Sequence, residues 1–271
     1  MMTSKEKIRA FWNEASCGEK LYLKDLSLDG FRKEAANRYN LEPYINSFAD
    51  FESARGKKVL EIGVGLGSDH QRFAEAGALL TGIDLTPRAV ERTRQRFNTF
   101  GLKSDIQVGD AENLNFPDNS FDIIYSWGVI HHSPDTQKAV NEIFRTLKPG
   151  GQAKIMIYNK YSLVGFMLWL RYALLAGKPF MSLDTIYAKQ LESPETKAYS
   201  EAAAELLFKQ FSNLSIKIQL CHGDLLTSRA GQRHEGALLN IARLIWPRWL
   251  IKKVCQRYGL FMLIEATKPH G

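Results

Sequence analysis

The sequence predicts an α/β fold: a doubly wound, mostly parallel seven-stranded sheet with helices on both faces. Three observations predict it. From Lys57 to Asn159, short β-branched runs alternate with amphipathic helical segments, the signature of βαβ units. The first run opens into VLEIGVGLGSD at 59–69, placing Gly63, Gly65 and Gly67 where a strand feeds a helix. With 271 residues, 45% hydrophobic and 24% charged, the chain has the composition of a globular protein and the length for one large domain.

Each element follows in order. Residues 1–56 hold two helical stretches, KEKIRAFWNEA and GFRKEAANRYNLEPYINSFADFES, and form an N-terminal cap. The core spans 57–159. KKVLEIGV is its first strand and SDHQRFAEAG its first helix, stopped at Gly77. ALLTGIDL is the second strand; TPRAVERTRQRFNTFG is a helix with Thr86 as N-cap, Pro87 at its first position and Gly101 as stop. SDIQVGD and SFDIIYSW supply strands three and four. DTQKAVNEIFRTLKPGG reads as a helix ended by Pro149 and Gly150, and QAKIMIYN as strand five. Residues 160–205 are an aromatic-rich lid insertion between strands five and six, closed by a helix that Ser200 opens. Residues 206–271 supply two closing strands, LSIKIQL and LFMLIEAT, around a basic amphipathic segment.

Charge and cysteine usage narrow the function classes. The net charge of +7 sits in the C-terminal part, where ten Lys and Arg after Glu205 face three acidic residues; the first 205 residues carry 26 of each sign. Attraction to an anionic surface therefore belongs to the C-terminal part. Cys17, Cys221 and Cys255 are scattered, which suits a reducing cytoplasm and excludes a disulfide framework or a cysteine zinc site. The start has no secretory h-region. The most apolar stretch, 162–177, is short for a bilayer span and carries Arg171.

The glycine loop alone fits several ligands. A dinucleotide fingerprint wants Gly or Ala where Ser68 stands, and a triphosphate loop wants a lysine that is absent. Asp84 ends the second strand, placed to accept hydrogen bonds from ribose hydroxyls, and Asp110 ends the third within GDAENL. SWGVIHH follows strand four, and the next helix ends in LKPGG.

This ordered set resembles the class I S-adenosylmethionine-dependent methyltransferases, with their Rossmann-like core, and more narrowly the small-molecule branch containing the ubiquinone- and menaquinone-type enzymes. The resemblance covers 57–159. It implies S-adenosylmethionine as cofactor and S-adenosylhomocysteine as its product. Residue by residue, it assigns Glu61, Gly63, Gly65 and Gly67 to the methionine moiety and Asp84 to the ribose, with Leu85 beside the adenine. Asp110, Ala111 and Glu112 match the adenine-contacting motif, and Ser126 matches a position whose backbone faces the methionine amino group.

Methyl transfer from a sulfonium requires alignment and water exclusion, and a general base only when the acceptor must lose a proton. His131 and His132 are the candidate bases, on the face where an acceptor approaches; the alternative is that they serve structure alone. Gly128 stands where some relatives place a metal ligand beside these histidines, so no metal is expected. SWGV lacks the tetrad of nucleic-acid adenine methyltransferases and the glutamate pair of protein-arginine enzymes is absent, so nucleic acid is not an expected partner. The expected acceptor is a small, hydrophobic or lipid-like metabolite. The aromatic residues of 160–205 either line its pocket or form the lid's own core. Residues 236–257, with Trp246, Trp249, Arg243, Arg248, Lys252 and Lys253, either rest on an anionic membrane surface or pack as a helix with a solvated basic face. A cytoplasmic enzyme, peripheral to a membrane in the first case, is the expectation; a cofactor-binding protein without chemistry is the alternative.

Overall fold

The structure is a computed structural model that describes residues 2–228 and 243–270. Its centre is one seven-stranded sheet built from β1 Lys58–Ile62, β2 Leu79–Asp84, β3 Asp105–Val108, β4 Phe121–Trp127, β5 Leu147–Tyr158, β6 Ser212–Gln219 and β7 Phe261–Thr267, in the order β3-β2-β1-β4-β5-β7-β6. The first five strands are parallel, and β7 runs antiparallel between β5 and β6. Strand order reverses between β1 and β4, and the loops leaving those two strands meet there. Such a switch point is where doubly wound sheets bind ligands.

Alternate residues of the central strands feed two separate cores. Val59, Ile123, Tyr125 and Met156 face one side with Phe73 and Phe97; Leu60, Ile124, Ile155 and Ile157 face the other with Val140, Ile143 and Phe208. The helices supplying these partners are α5 Ser68–Glu75 and α6 Pro87–Phe100 on the first face, and α7 Thr136–Thr146 and α10 Glu201–Leu207, with Phe208 at its C-cap, on the second. Thr86 caps α6 and Ser200 caps α10 through their hydroxyls, as their sequence positions predict.

The helix expected over 135–151 is shorter. It stops at Thr146, because Leu147 is already extended (φ −69°, ψ 142°) and Lys148 precedes Pro149, a setting hostile to helix. LKPGG instead opens β5, where the register with β4 shifts between Leu147 and Gln152 and Gly150 and Gly151 exchange backbone hydrogen bonds with Lys268.

The N-terminal cap is α1 Ser4–Glu14, α2 Glu19–Tyr22, α3 Leu28–Leu41 and α4 Tyr44–Ala49. A capping box between Thr3 and Glu6 opens α1 and the Ser27 hydroxyl opens α3. Carboxylates fasten the cap to the core: Glu19 binds Arg88 and Arg92 of α6 at 2.8 and 2.9 Å, and Glu34 binds the fully buried Arg96 one helical turn further on.

In the insertion, α8 Leu163–Trp169 runs into a π-helical turn to Leu174, and α9 Leu183–Gln190 follows. Its aromatic residues divide. Trp169, Tyr172 and Met181 pack against the core cluster, whereas Tyr161, Phe166 and Phe180 are exposed. Beyond β6 the described chain contains α11 Arg248–Val254; residues 236–242 of the basic amphipathic segment lie outside the described residues. No described helix is long and apolar enough to cross a membrane.

Candidate active site

One cleft of about 1190 Å³, continuous with solvent, runs along the carboxyl ends of β2, β1 and β4. The glycine loop is its floor. Gly63 has φ +86°, and a Cβ there would fall 2.1 Å from the Val129 side chain on the loop after β4. Only glycine lets these two loops close on each other. Gly65, at φ +55°, faces open space on its Cβ side. Glu61, Gly67, Asp84, Leu85, Asp110 and Ala111 also line the cleft, as do Trp127, Gly128 and His132 from the far side.

Asp84 is fixed by donors on both oxygens: Gly65 N–H at 3.2 Å on one, Thr86 N–H and O–H, each at 2.9 Å, on the other. Burial nevertheless pushes its carboxyl above the ordinary 3.8, outweighing those hydrogen bonds. Asp110 accepts from Glu112 N–H at 2.9 Å and pairs with Lys5 at 2.7 Å. Lys5 also binds Glu112 at 2.6 Å, whose other oxygen accepts from Ser133 O–H and Asp135 N–H. Glu112 is thus a brace between two loops and does not line the cleft. Ser126 is fully buried and donates its hydroxyl to the Ile62 carbonyl, so its side chain locks β4 to β1 and points away from the cavity.

Glu61 meets His70 in a closed chain: Glu61 Oε2 to His70 Nδ1 at 2.9 Å, His70 Nε2 to Ser104 Oγ at 2.8 Å, Ser104 O–H to the Leu80 carbonyl at 2.8 Å. Since the Ser104 proton goes to Leu80, His70 donates from Nε2 and its Nδ1 accepts from a protonated Glu61. Burial supports that assignment from both ends, pushing Glu61 well above 4.5 and His70 down to about 3.

The two histidines after β4 separate in role. His131 is fully buried behind the cleft, its ring tilted against that of Tyr158 with centroids 4.0 Å apart, and neither ring nitrogen is bonded. Burial, with His132 and Lys197 nearby, holds its pKa well below 6.5. His132 lines the cleft against Trp12, ring centroids 5.3 Å apart. Its Nδ1 lies 2.8 Å from Ser193 Oγ and 3.2 Å from Thr196 Oγ1. The Thr196 proton goes to the Ser193 carbonyl at 2.7 Å, whereas the Ser193 hydroxyl can either accept from Nδ1 or donate to it, so both neutral tautomers of the ring satisfy this contact. The ring's Nε2 has no hydrogen-bond partner and lies 3.6 Å from a Glu192 oxygen, to which Tyr158 O–H donates. Burial and Lys197 bring the His132 pKa down to about 3.

Several cleft residues escaped the motif reading. Lys5, Ile8 and Trp12 of α1 form its roof, and Glu34 and Arg38 of α3 part of its wall. Asp69, the last residue of VLEIGVGLGSD, is the hub of that wall. It accepts from Arg38 at 3.0 and 2.6 Å, Tyr39 O–H at 2.9 Å and Tyr125 O–H at 2.8 Å. The available signal was spacing: Lys5, Ile8 and Trp12, and likewise Glu34 and Arg38, fall on one face of their helices. No group of three or more metal-ligating side chains converges among the described residues.

Residues 60–155, the segment that builds this cleft floor, match the sequence model of the methyltransferase domain family. Over that segment the chain is similar to methyltransferase domains. Beyond this domain the likeness thins. Phosphoethanolamine N-methyltransferase 2 of Caenorhabditis elegans is 37% identical over 121 residues, 43% of this chain and 26% of that protein. The fatty-acid O-methyltransferase of Mycolicibacterium smegmatis is 35% identical over 117 residues, 42% of each. Across the curated relatives it matches, these two included, this chain spans between 23% and 54% of their length. Among solved structures, Haemonchus contortus phosphoethanolamine N-methyltransferase 2 in complex with S-adenosyl-L-methionine superposes over 97% of this chain and 60% of that one, with a TM-score of 0.58 at 19% identity. That likeness is one of fold.

Proposed function

We propose that the chain is an S-adenosylmethionine-dependent methyltransferase acting on a small, hydrophobic or lipid-like metabolite. The observation that carries this reading is the sequence of groups along one cleft: open backbone at Gly65, the Asp84 carboxylate, then Asp110. The donor set favours a ligand rich in hydroxyl and amino donors over a phosphate. Lys5 and Arg38, the cations in the described cleft wall, are each held by carboxylates, so neither stands ready for a pyrophosphate.

In this reading Glu61, Gly63, Gly65 and Gly67 border the methionine portion of the cofactor, Asp84 accepts from the ribose with Leu85 beside the adenine, and Asp110 and Ala111 meet the adenine edge. Glu112 and Ser126 act one layer out, holding the loops. S-adenosylmethionine supplies, when bound, a methyl group already activated by positive sulfur. The chain's own residues then align and shield: Trp12 and Trp127 wall the far end, and α1 roofs it. Where the acceptor is protic, His132 in its Nδ1-protonated tautomer takes the proton at Nε2, and the Glu192 carboxylate steadies the resulting imidazolium. His131, out of reach of the cleft, serves packing. The largely apolar wall (Ile8, Val64, Leu66, Ile83, Val129) supports a hydrophobic acceptor, as does a relative that acts on fatty acids. The order of motifs favours the quinone-type branch, and the three free cysteines suit a cytoplasmic setting.

Calorimetric titration with S-adenosylmethionine, followed by S-adenosylhomocysteine release over quinone, sterol, fatty-acid and ethanolamine-phosphate acceptors, tests the proposal. Saturable binding with turnover on an apolar acceptor is expected. Binding without turnover on any acceptor would favour a cofactor-binding role without chemistry. NADH binding in place of S-adenosylmethionine would overturn it.

A further inference from the structure

Most of the large apolar side chains exposed among the described residues lie in two short segments, 161–180 and 244–258. Phe180 is 100% exposed, Leu244 85%, Ile245 75%, Trp249 73% and Leu175 69%. Scattered single exposures need no explanation, but this concentration does. The two segments are neighbours in space. Asp224, fully buried on the loop after β6, accepts from Val164 N–H at the start of α8 at 3.3 Å, and its carbonyl accepts from Trp246 Nε1 at 2.9 Å. Arg248, at the start of α11, donates to the carbonyls of Leu225 and Leu226 on the same loop.

Charge identifies what covers this surface. Neither segment contains an Asp or Glu, while Arg171, Lys178, Lys252, Lys253 and Arg257 are all exposed there. The first 205 residues taken together are neutral, so this face is a local basic field around apolar side chains. A protein partner would have to answer both features with its own matching pattern. A bilayer carrying anionic lipid answers both at once: apolar side chains enter the acyl boundary and cations stay at the headgroups. Trp249 and Tyr258, apolar with a polar edge, suit the interface itself.

We propose that the α8 and α11 segments together form a docking surface for an anionic lipid bilayer. This extends the contact read from 236–257 to the insertion, and it stands independently of the methyl-transfer reading. It also gives the surface a route inward. From the loop that anchors both segments, His222 Nε2 approaches Glu42 at 3.6 Å, and Glu42 approaches the cleft-lining Arg38 at 3.7 Å. The docked face is therefore tied, through one loop, to the wall of the cleft.

Flotation of the full chain with phosphatidylcholine vesicles, with and without a phosphatidylglycerol fraction, tests this. Binding to the anionic vesicles, weakened at about 0.5 M salt, is expected. Lys252→Ala/Lys253→Ala should weaken it by about fivefold per charge removed, and Phe180→Ser/Trp249→Ser should weaken it at every salt concentration. Lys103→Ala/Lys209→Ala, exposed lysines elsewhere, should leave it unchanged. Circular dichroism and S-adenosylmethionine titration of each variant separate loss of docking from loss of fold. Absence of flotation at low salt, equal flotation with neutral vesicles, or equal loss in the Lys103/Lys209 control would overturn the proposal. So would a concentration-dependent dimer abolished by the same substitutions, which would make the face a contact between copies.

Discussion

Asp69→Asn should lower the unfolding free energy by about 3–5 kcal/mol. The magnitude follows from the site. The Asp69 side chain is 3% exposed and accepts four hydrogen bonds, two from Arg38 and one each from Tyr39 and Tyr125. Asparagine keeps the shape but turns an NH₂ toward two of those donors, and it leaves the Arg38 guanidinium without its counter-charge. Glu42, 3.7 Å from Arg38, offsets only part of that. Arg38→Met should cost a similar amount by stranding the carboxylate. The pair Arg38→Met/Asp69→Leu should cost less than the two singles added, since apolar replacement of both partners removes the uncompensated charge. Urea unfolding of the three variants reads these values, and the single variants should lose about 6–20 °C in Tm. Acidity gives the sign. Burial pushes the Asp69 carboxyl up, but the Arg38 charge and the hydrogen bonds outweigh it and hold the pKa below 3.8. A depressed carboxylate contributes stability above its unfolded pKa and loses it as pH falls through the folded one. The gap between wild type and Asp69→Asn should therefore be complete at neutral pH and shrink below about pH 4. A variant within about 1 kcal/mol of wild type at neutral pH, or a gap unchanged in acid, would refute the assignment.

Asp84→Ala should weaken S-adenosylmethionine binding by at least about 100-fold in calorimetry, the loss of two charge-assisted hydrogen bonds; an unchanged affinity would remove Asp84 from the site. Gly63→Ala should cost about 2–4 kcal/mol, combining positive φ with the Val129 clash, and Val129→Ala in the same chain should recover part of it in denaturant melts. His131→Phe should reduce acid sensitivity: its folded pKa is depressed by burial, so it adds about 1.4 kcal/mol per pH unit to the stability that wild type loses below about pH 6.5, alongside the likewise depressed His70 and His132, and the variant's slope should be shallower by that amount while turnover is retained. His132→Gln should bind cofactor normally but lose turnover on protic acceptors by about 100-fold or more; intact turnover would show that the ring is structural.

The sheet and its switch point were legible because the core elements announce themselves locally. Thr86-Pro87 starts a helix, Gly101 ends it, and β-branched runs leave little choice of state. LKPGG was misassigned to a helix end because the register shift that places it in β5 depends on Lys268, more than a hundred residues away. The floor of the cleft was legible for the same reason as the sheet: its residues sit at strand ends. Its roof and wall were not, because Lys5, Trp12, Arg38 and Asp69 become one site only after the N-terminal cap folds back. A clue was present in Arg88, Arg92 and Arg96, spaced four apart along α6. Such a stripe on a helix facing the core requires carboxylates from elsewhere, and Glu19 and Glu34 supply them. The split between His131 and His132 was beyond sequence, since adjacent residues in a 3₁₀ turn point apart in ways that only packing decides.

The chain from Glu61 through His70 and Ser104 to Leu80 gives the glycine loop a built-in spectroscopic witness. The His70 Nε2–H is a single proton, sealed from solvent, donated to a hydroxyl that has already committed its own. It should exchange slowly and stand apart in a ¹H–¹⁵N spectrum of the imidazoles. Filling the cleft changes the field at Glu61, one bond along the chain, so that resonance should move when cofactor binds and stay still when only the acceptor does. The two halves of the reaction could thus be followed separately, without a label on either substrate.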